Sequence, residues 1–127
     1  MNDSLHFLVV ETSLGARILI RSQLIQLGHH VDMAWDYESA LDLTLIRSYD
    51  LILIDYHLDK GHNCDELIDC LQEKGGLNQN TPIIMLSSTQ HHKEKKHTKR
   101  QPYFIKPINQ KEILKIIEYF KQIDSTK

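Results

Sequence analysis

With 127 residues, 41% of them hydrophobic and 25% charged, the chain has enough material for one independently folding domain of ordinary soluble composition. A formal charge of -2 is too mild to point to a polyanionic partner, and no apolar run approaches the ~18 residues that a transmembrane helix needs. Met1-Asn2-Asp3-Ser4 lacks the basic end and long apolar core of a secretory signal, and Cys64 and Cys70 match no CxxC motif. The expectation is therefore a reduced, cytoplasmic protein.

The first predicted strand is Leu5 to Val10 (LHFLVV), which ends at Glu11-Thr12-Ser13. Thr12 or Ser13 can cap the helix that follows. That helix is expected from about Leu14 to Leu27, with Leu14, Ile18 and Ile25 on its apolar side and Gly28 as its stop. His30 to Ala34 reads as a short second strand. Asp36 caps a second helix whose apolar residues are Ala40, Leu41, Leu43, Leu45 and Ile46, ending near Arg47.

The third strand is the most informative stretch. Leu51-Ile52-Leu53-Ile54 is unbroken and lies between Asp50 and Asp55, the pattern of a strand buried on both faces. Polar residues with Gly61 and Asn63 follow, then a third helix from Cys64 or Asp65 to about Lys74, with Leu67, Ile68 and Leu71 inward. Residues 75–80 read as a loop, and Ile83 to Leu86 as a fourth strand closed by Ser87-Ser88-Thr89. Gln90 to Gln101 has no aliphatic or aromatic residue, so a helix there would have no stripe to bury. Tyr103-Phe104-Ile105 is a fifth strand ending at Lys106-Pro107. Asn109 caps a last helix from Gln110 to about Ile123, with Ile113, Ile116, Ile117 and Phe120 in phase.

Short buried strands alternating with helices call for a parallel sheet covered on both faces, in a single domain spanning 1–127. All strand C-termini then share one edge, where open α/β sheets bind ligands. The residues placed there are Glu11, Thr12, Asp55, Ser87, Ser88 and Lys106. A carboxylate such as Asp55 can attack phosphorus and form an acyl phosphate. The incoming charge calls for a dication, and Mg²⁺ prefers oxygen ligands such as Glu11 and Asp55. Lys106 and the Ser87 hydroxyl can each engage a phosphoryl oxygen.

Five segments in order carry a resemblance over essentially the whole chain: VV-Glu11 running into a helix, LILI-Asp55, Tyr56-His57-Leu58-Asp59-Lys60-Gly61, PIIML-Ser87, and Tyr103-Phe104-Ile105-Lys106-Pro107. The chain resembles the receiver domain of bacterial two-component response regulators. That resemblance implies a flavodoxin-like, doubly wound five-stranded parallel sheet of order 2-1-3-4-5. It implies that Asp55 accepts phosphate from a histidine kinase or histidine phosphotransfer protein, with no other enzymatic activity. It further implies that the His57 backbone carbonyl faces the metal, that Ser87 and Tyr103 act as the switch, and that Lys106 pairs with the phosphoryl group. The signal would leave by protein–protein contact.

Two departures accompany the likeness. Where the family has two adjacent acids after its first strand, this chain has Glu11-Thr12. Thr12 is therefore a weak or lost metal ligand, and weaker Mg²⁺ binding is expected. The alternative function is a pseudo-receiver that binds its partner without phosphorylation. In addition, the family's helix between the fourth and fifth strands is expected to be short, irregular or missing here. The basic run Lys93, Lys95, Lys96, Lys99 and Arg100 has no interleaved aromatic residue and reads as a solvated loop, with no nucleic-acid or membrane partner. A dehalogenase-type phosphatase would want Asp where His57 stands, and a flavodoxin would want a phosphate cradle where Glu11 would repel it.

Overall fold

The computed structural model describes residues 4–58, 64–88 and 102–125. Five strands, β1 (His6–Val10), β2 (His30–Ala34), β3 (Leu51–Asp55), β4 (Ile83–Ser87) and β5 (Tyr103–Ile105), alternate with helices α1 (Leu14–Gln26), α2 (Tyr37–Ile46), α3 (Cys64–Leu71) and α4 (Gln110–Ser125). The strands form one parallel sheet of order β2-β1-β3-β4-β5, the flavodoxin-like order that the resemblance implies. The expected irregularity of the family's helix between β4 and β5, and the basic run, fall on 89–101, outside the described residues.

Alternation along the strands divides the interior in two. Leu8, Val10, Ile52, Ile54 and Met85 face one side, with Ala40 of α2 and Leu67, Ile68 and Leu71 of α3. Phe7, Val9, Leu53, Ile84 and Leu86 face the other, with Ile20 and Leu24 of α1 and Ile113 and Ile116 of α4. β3 and β4 are buried at every position, which is why their sequences show aliphatic runs instead of alternation.

The helix starts follow their capping chemistry. The Ser13 side chain accepts the Ala16 N–H, and Asp36 and Ser39 form a reciprocal capping box at α2. The Asn109 side-chain Oδ1 accepts the Lys111 N–H at α4. Gly28, just past α1, has φ 92°, a conformation that favours glycine.

Two helix faces differ from expectation. Leu14, Ile18 and Ile25 are exposed, and Ile20 and Leu24 are the residues of α1 that enter the core. The helix carries two apolar stripes, and the path of the chain from β1 selects the second. On α2, Leu45 and Ile46 are more than 70% exposed, whereas Ala40 and Thr44 are buried. Thr44 tolerates burial because its hydroxyl donates to the Ala40 carbonyl at 3.0 Å. α3 also ends earlier, at Leu71.

The loop at 75–80 contains a structural bracket. Asn78 is 1% exposed. Its amide donates to the carbonyls of Thr44 (3.2 Å) and Arg47 (3.0 Å). Its oxygen accepts from the Tyr49 N–H (2.9 Å) and the Thr81 hydroxyl (3.1 Å). One side chain thus ties the end of α2 to the starts of β3 and β4 at the sheet edge opposite the candidate site.

Candidate functional site

Asp55 closes β3 at the C-terminal edge, level with Leu86 of β4. On one side β1 delivers Glu11, whose N–H continues the ladder to the Ala34 carbonyl at 3.0 Å. On the other, the Lys106 N–H bonds to the Ser87 carbonyl at 2.7 Å and fixes where the lysine leaves β5. The last residue of β3 and the residues just past β1 and β5 therefore converge on one point.

The Lys106 ammonium lies 3.2 Å from Glu11 Oε1 and 3.4 Å from Asp55 Oδ1. The Thr12 hydroxyl donates to Asp55 Oδ2 at 3.3 Å, and the His57 N–H donates to Asp55 Oδ1 at 3.1 Å. Glu11 Oε2 accepts the Ser13 N–H at 3.0 Å. Glu11 is fully buried and Asp55 is 4% exposed, and for Glu11 that burial makes the charged form costly. Burial first, and then the charge of Asp55, raise the Glu11 carboxyl above its ordinary 4.5; the Ser13 N–H and Lys106 only partly offset this. Two carboxylates against one ammonium leave the cluster an excess of negative charge.

Such a donor set suits a hard cation. Among the described residues no group of three His, Cys, Asp or Glu side chains is arranged to hold a metal. An ion here would have two side-chain carboxylates and would keep several waters, as Mg²⁺ commonly does. The two Asp55 oxygens are held by the side chains of Thr12 and Lys106 and the backbone N–H of His57. Cys64 is close by but is pushed up to about 12, mainly by burial, so it stays a neutral thiol and is inert.

The structure thus brings Glu11, Thr12, Asp55 and Lys106 into one cluster. His57 enters it through its N–H, a contact that the sequence does not single out. Ser87 is fully buried on the same edge, its hydroxyl donating to the Ser88 carbonyl at 3.1 Å. Tyr103 opens β5 opposite Met85 and is half exposed. Sequence patterning missed Arg17, whose guanidinium donates to the carbonyls of Glu11 (2.8 Å) and Thr12 (3.3 Å). Its targets are backbone atoms, which leave no mark in the sequence.

The family model for the response regulator receiver domain matches residues 7–118. The fold is similar to that of the chemotaxis response regulator CheY4 of Vibrio cholerae, with TM-score 0.82 and 22% identity over 93% of this chain and 99% of that one. It is also similar to a CheY-like receiver domain from Methylobacillus flagellatus, with TM-score 0.80 and 21% identity over 93% and 99%. A third similar structure is the receiver domain of the sensor histidine kinase PA1611 from Pseudomonas aeruginosa PAO1, which has a magnesium ion coordinated in its active-site cleft; the TM-score is 0.76 and the identity 20% over 93% and 98%. No curated protein sequence matches the chain. The family match covers most of its length, and the chain belongs to the response regulator receiver domain family.

Proposed function

We propose that the chain is a phosphorelay receiver that takes a phosphoryl group on Asp55 from a histidine kinase or histidine phosphotransfer protein and signals by protein–protein contact. The observation that carries this reading is the buried Asp55 carboxylate, held at the sheet edge by the Thr12 hydroxyl, the His57 N–H and the Lys106 ammonium. In the transfer, an Asp55 oxygen attacks phosphorus, the phosphorus–nitrogen bond of the donor phosphohistidine breaks, and its electron pair returns to the imidazole. Lys106, freed from Asp55 Oδ1, pairs with a phosphoryl oxygen, and the Ser87 hydroxyl turns from Ser88 to another. Later attack of water on the acyl phosphate resets the site; no further enzymatic activity is assigned.

Mg²⁺ fits the oxygen donors, and Glu11, Asp55 and the His57 carbonyl would hold it, with Thr12 contributing weakly or not at all. When bound, it supplies counter-charge for the entering phosphoryl oxygens. The magnesium in the cleft of the Pseudomonas receiver supports this assignment. The added charge at Asp55 then biases Ser87 and Tyr103 toward a partner-binding arrangement. We place the module in the cytoplasm, as one domain over 1–127, with no nucleic-acid partner.

Exposure to acetyl phosphate with Mg²⁺, read by intact mass, tests the reading. The expected result is a gain of about 80 Da, one phosphoryl group, that is lost in Asp55→Asn. The second reading, a pseudo-receiver that binds constitutively, is favoured by Thr12 standing beside Asp55 where a carboxylate would strengthen metal binding. A wild-type mass unchanged by both acetyl phosphate and a phosphorylated kinase would decide for it.

A further inference from the structure

We propose that Arg17 is a positioning residue for the Asp55 site, acting through the backbone of the turn that carries Glu11 and Thr12. The inference rests on the phosphorelay reading for its consequence, though its geometry stands independently. The paired part of β1 ends at Val10, the last residue in register with β2 and β3. Glu11 keeps one ladder bond through its N–H, while its carbonyl and that of Thr12 turn out of the sheet. Arg17 takes both, with Nη1 at 2.8 Å from the Glu11 oxygen and 3.3 Å from the Thr12 oxygen.

The clamp is rooted in the helix. The Arg17 N–H makes the first bond of α1, to the Ser13 carbonyl at 3.0 Å. The same turn is closed from inside by the Ser13 N–H on Glu11 Oε2. Glu11 is thereby fixed at three places, by β2 at its N–H, by Arg17 at its carbonyl and by Ser13 and Lys106 at its carboxylate. A guanidinium is suited to this task because it is planar, permanently charged and able to serve two acceptors at once. Among the described residues its side chain meets these two carbonyls and no carboxylate of the cluster, so its influence on the site runs through the backbone.

Such outer partners set how well a ligand carboxylate is aimed, and their loss commonly costs ten- to a hundredfold in metal affinity. Arg17→Met keeps the apolar stem and removes every donor; Arg17→Lys retains a single ammonium. The first measurement is the Mg²⁺ concentration for half-maximal labelling of Asp55 by acetyl phosphate. We expect it to rise roughly tenfold or more in Arg17→Met and to be intermediate in Arg17→Lys, with the rate at saturating Mg²⁺ and the urea midpoint close to wild type. The second is ¹⁵N relaxation of the metal-free protein, where Thr12 and Ser13 amides should gain mobility in Arg17→Met while those of β3 do not. A folded Arg17→Met with wild-type half-saturation overturns the proposal. If wild type takes up no phosphoryl group at any Mg²⁺ concentration, the phosphorelay reading fails instead, and the relaxation alone decides on Arg17: unchanged order at Thr12 and Ser13 overturns it.

Discussion

Replacing Thr12 with Asp tests the electrostatics of the site at its most informative position. The Thr12 hydroxyl now donates to Asp55 Oδ2 at 3.3 Å. A carboxylate there replaces a hydrogen bond with a like charge at about 4 Å, which costs about 1 kcal/mol in bulk water and about 4 kcal/mol at the effective dielectric near a protein surface. Asp55 is 4% exposed and Thr12 partly exposed, so the cost lies between these limits. The metal-free Thr12→Asp protein should lose that much stability. A dication that neutralises both carboxylates relieves the same repulsion, so Mg²⁺ affinity should rise by the corresponding factor, at least about fivefold and up to several hundredfold. Urea unfolding without divalent ions and calorimetric Mg²⁺ titration read the two effects separately. The reasoning fails if affinity stays within twofold of wild type while stability falls, or if neither changes, since both must follow from one charge.

Two further perturbations probe the surroundings. Glu11→Gln removes a buried carboxyl whose proton affinity is raised, by burial first and Asp55 second, above the ordinary 4.5. The folded state therefore binds the proton more tightly than the unfolded chain, and Glu11's contribution to stability is complete below pH ~4.5 and is lost as pH rises through the folded-state value. In divalent-free buffer Glu11→Gln should melt higher than wild type at about pH 7.5, with the gap narrowing toward pH ~4; a lower midpoint at neutral pH would show that the Lys106 pair outweighs burial. Asn78→Ala should cost roughly 2–6 kcal/mol, since it strips partners from the buried Tyr49 N–H and Thr44 carbonyl in a site 1% exposed, at ~1–3 kcal/mol for each of the two buried groups left unpaired. A urea-derived loss below about 1 kcal/mol would mean that water replaces the side chain.

Which parts of the molecule were legible in the sequence follows from where the information lies. β3 was readable because Leu51 to Ile54 contact both layers, so burial writes a continuous aliphatic run. The convergence of Glu11, Asp55 and Lys106 was readable because parallel strands oblige their ends to share an edge. The inward face of α1 was not: Leu14, Ile18, Leu19, Ile20, Leu24 and Ile25 offer two helical stripes, and only the packed chain chooses between them. Arg17 and Asn78 were hidden for a different reason. Apart from the Thr81 hydroxyl, their partners are backbone carbonyls and an N–H, which almost every residue has, so no residue type at a fixed spacing announces the contact.

Thr12 shows how a single departure redistributes the same physics. An acid at its position could only accept from donors, and beside Asp55 and Glu11 it would add a third negative charge where, among the described residues, Lys106 is the cation in contact. A hydroxyl instead donates to Asp55, converting a repulsion into a hydrogen bond in the metal-free state. The resting site is thereby stabilised by the same residue that, under the proposed reading, offers a bound cation no carboxylate. Under the proposed reading, a cation would relieve a site strained by excess negative charge. In this chain that strain rests on Glu11 and Asp55, and Glu11 stays directed at Asp55 and Lys106 only while its turn is held in place. The narrower the charge excess, the more the site depends on the geometry of that turn.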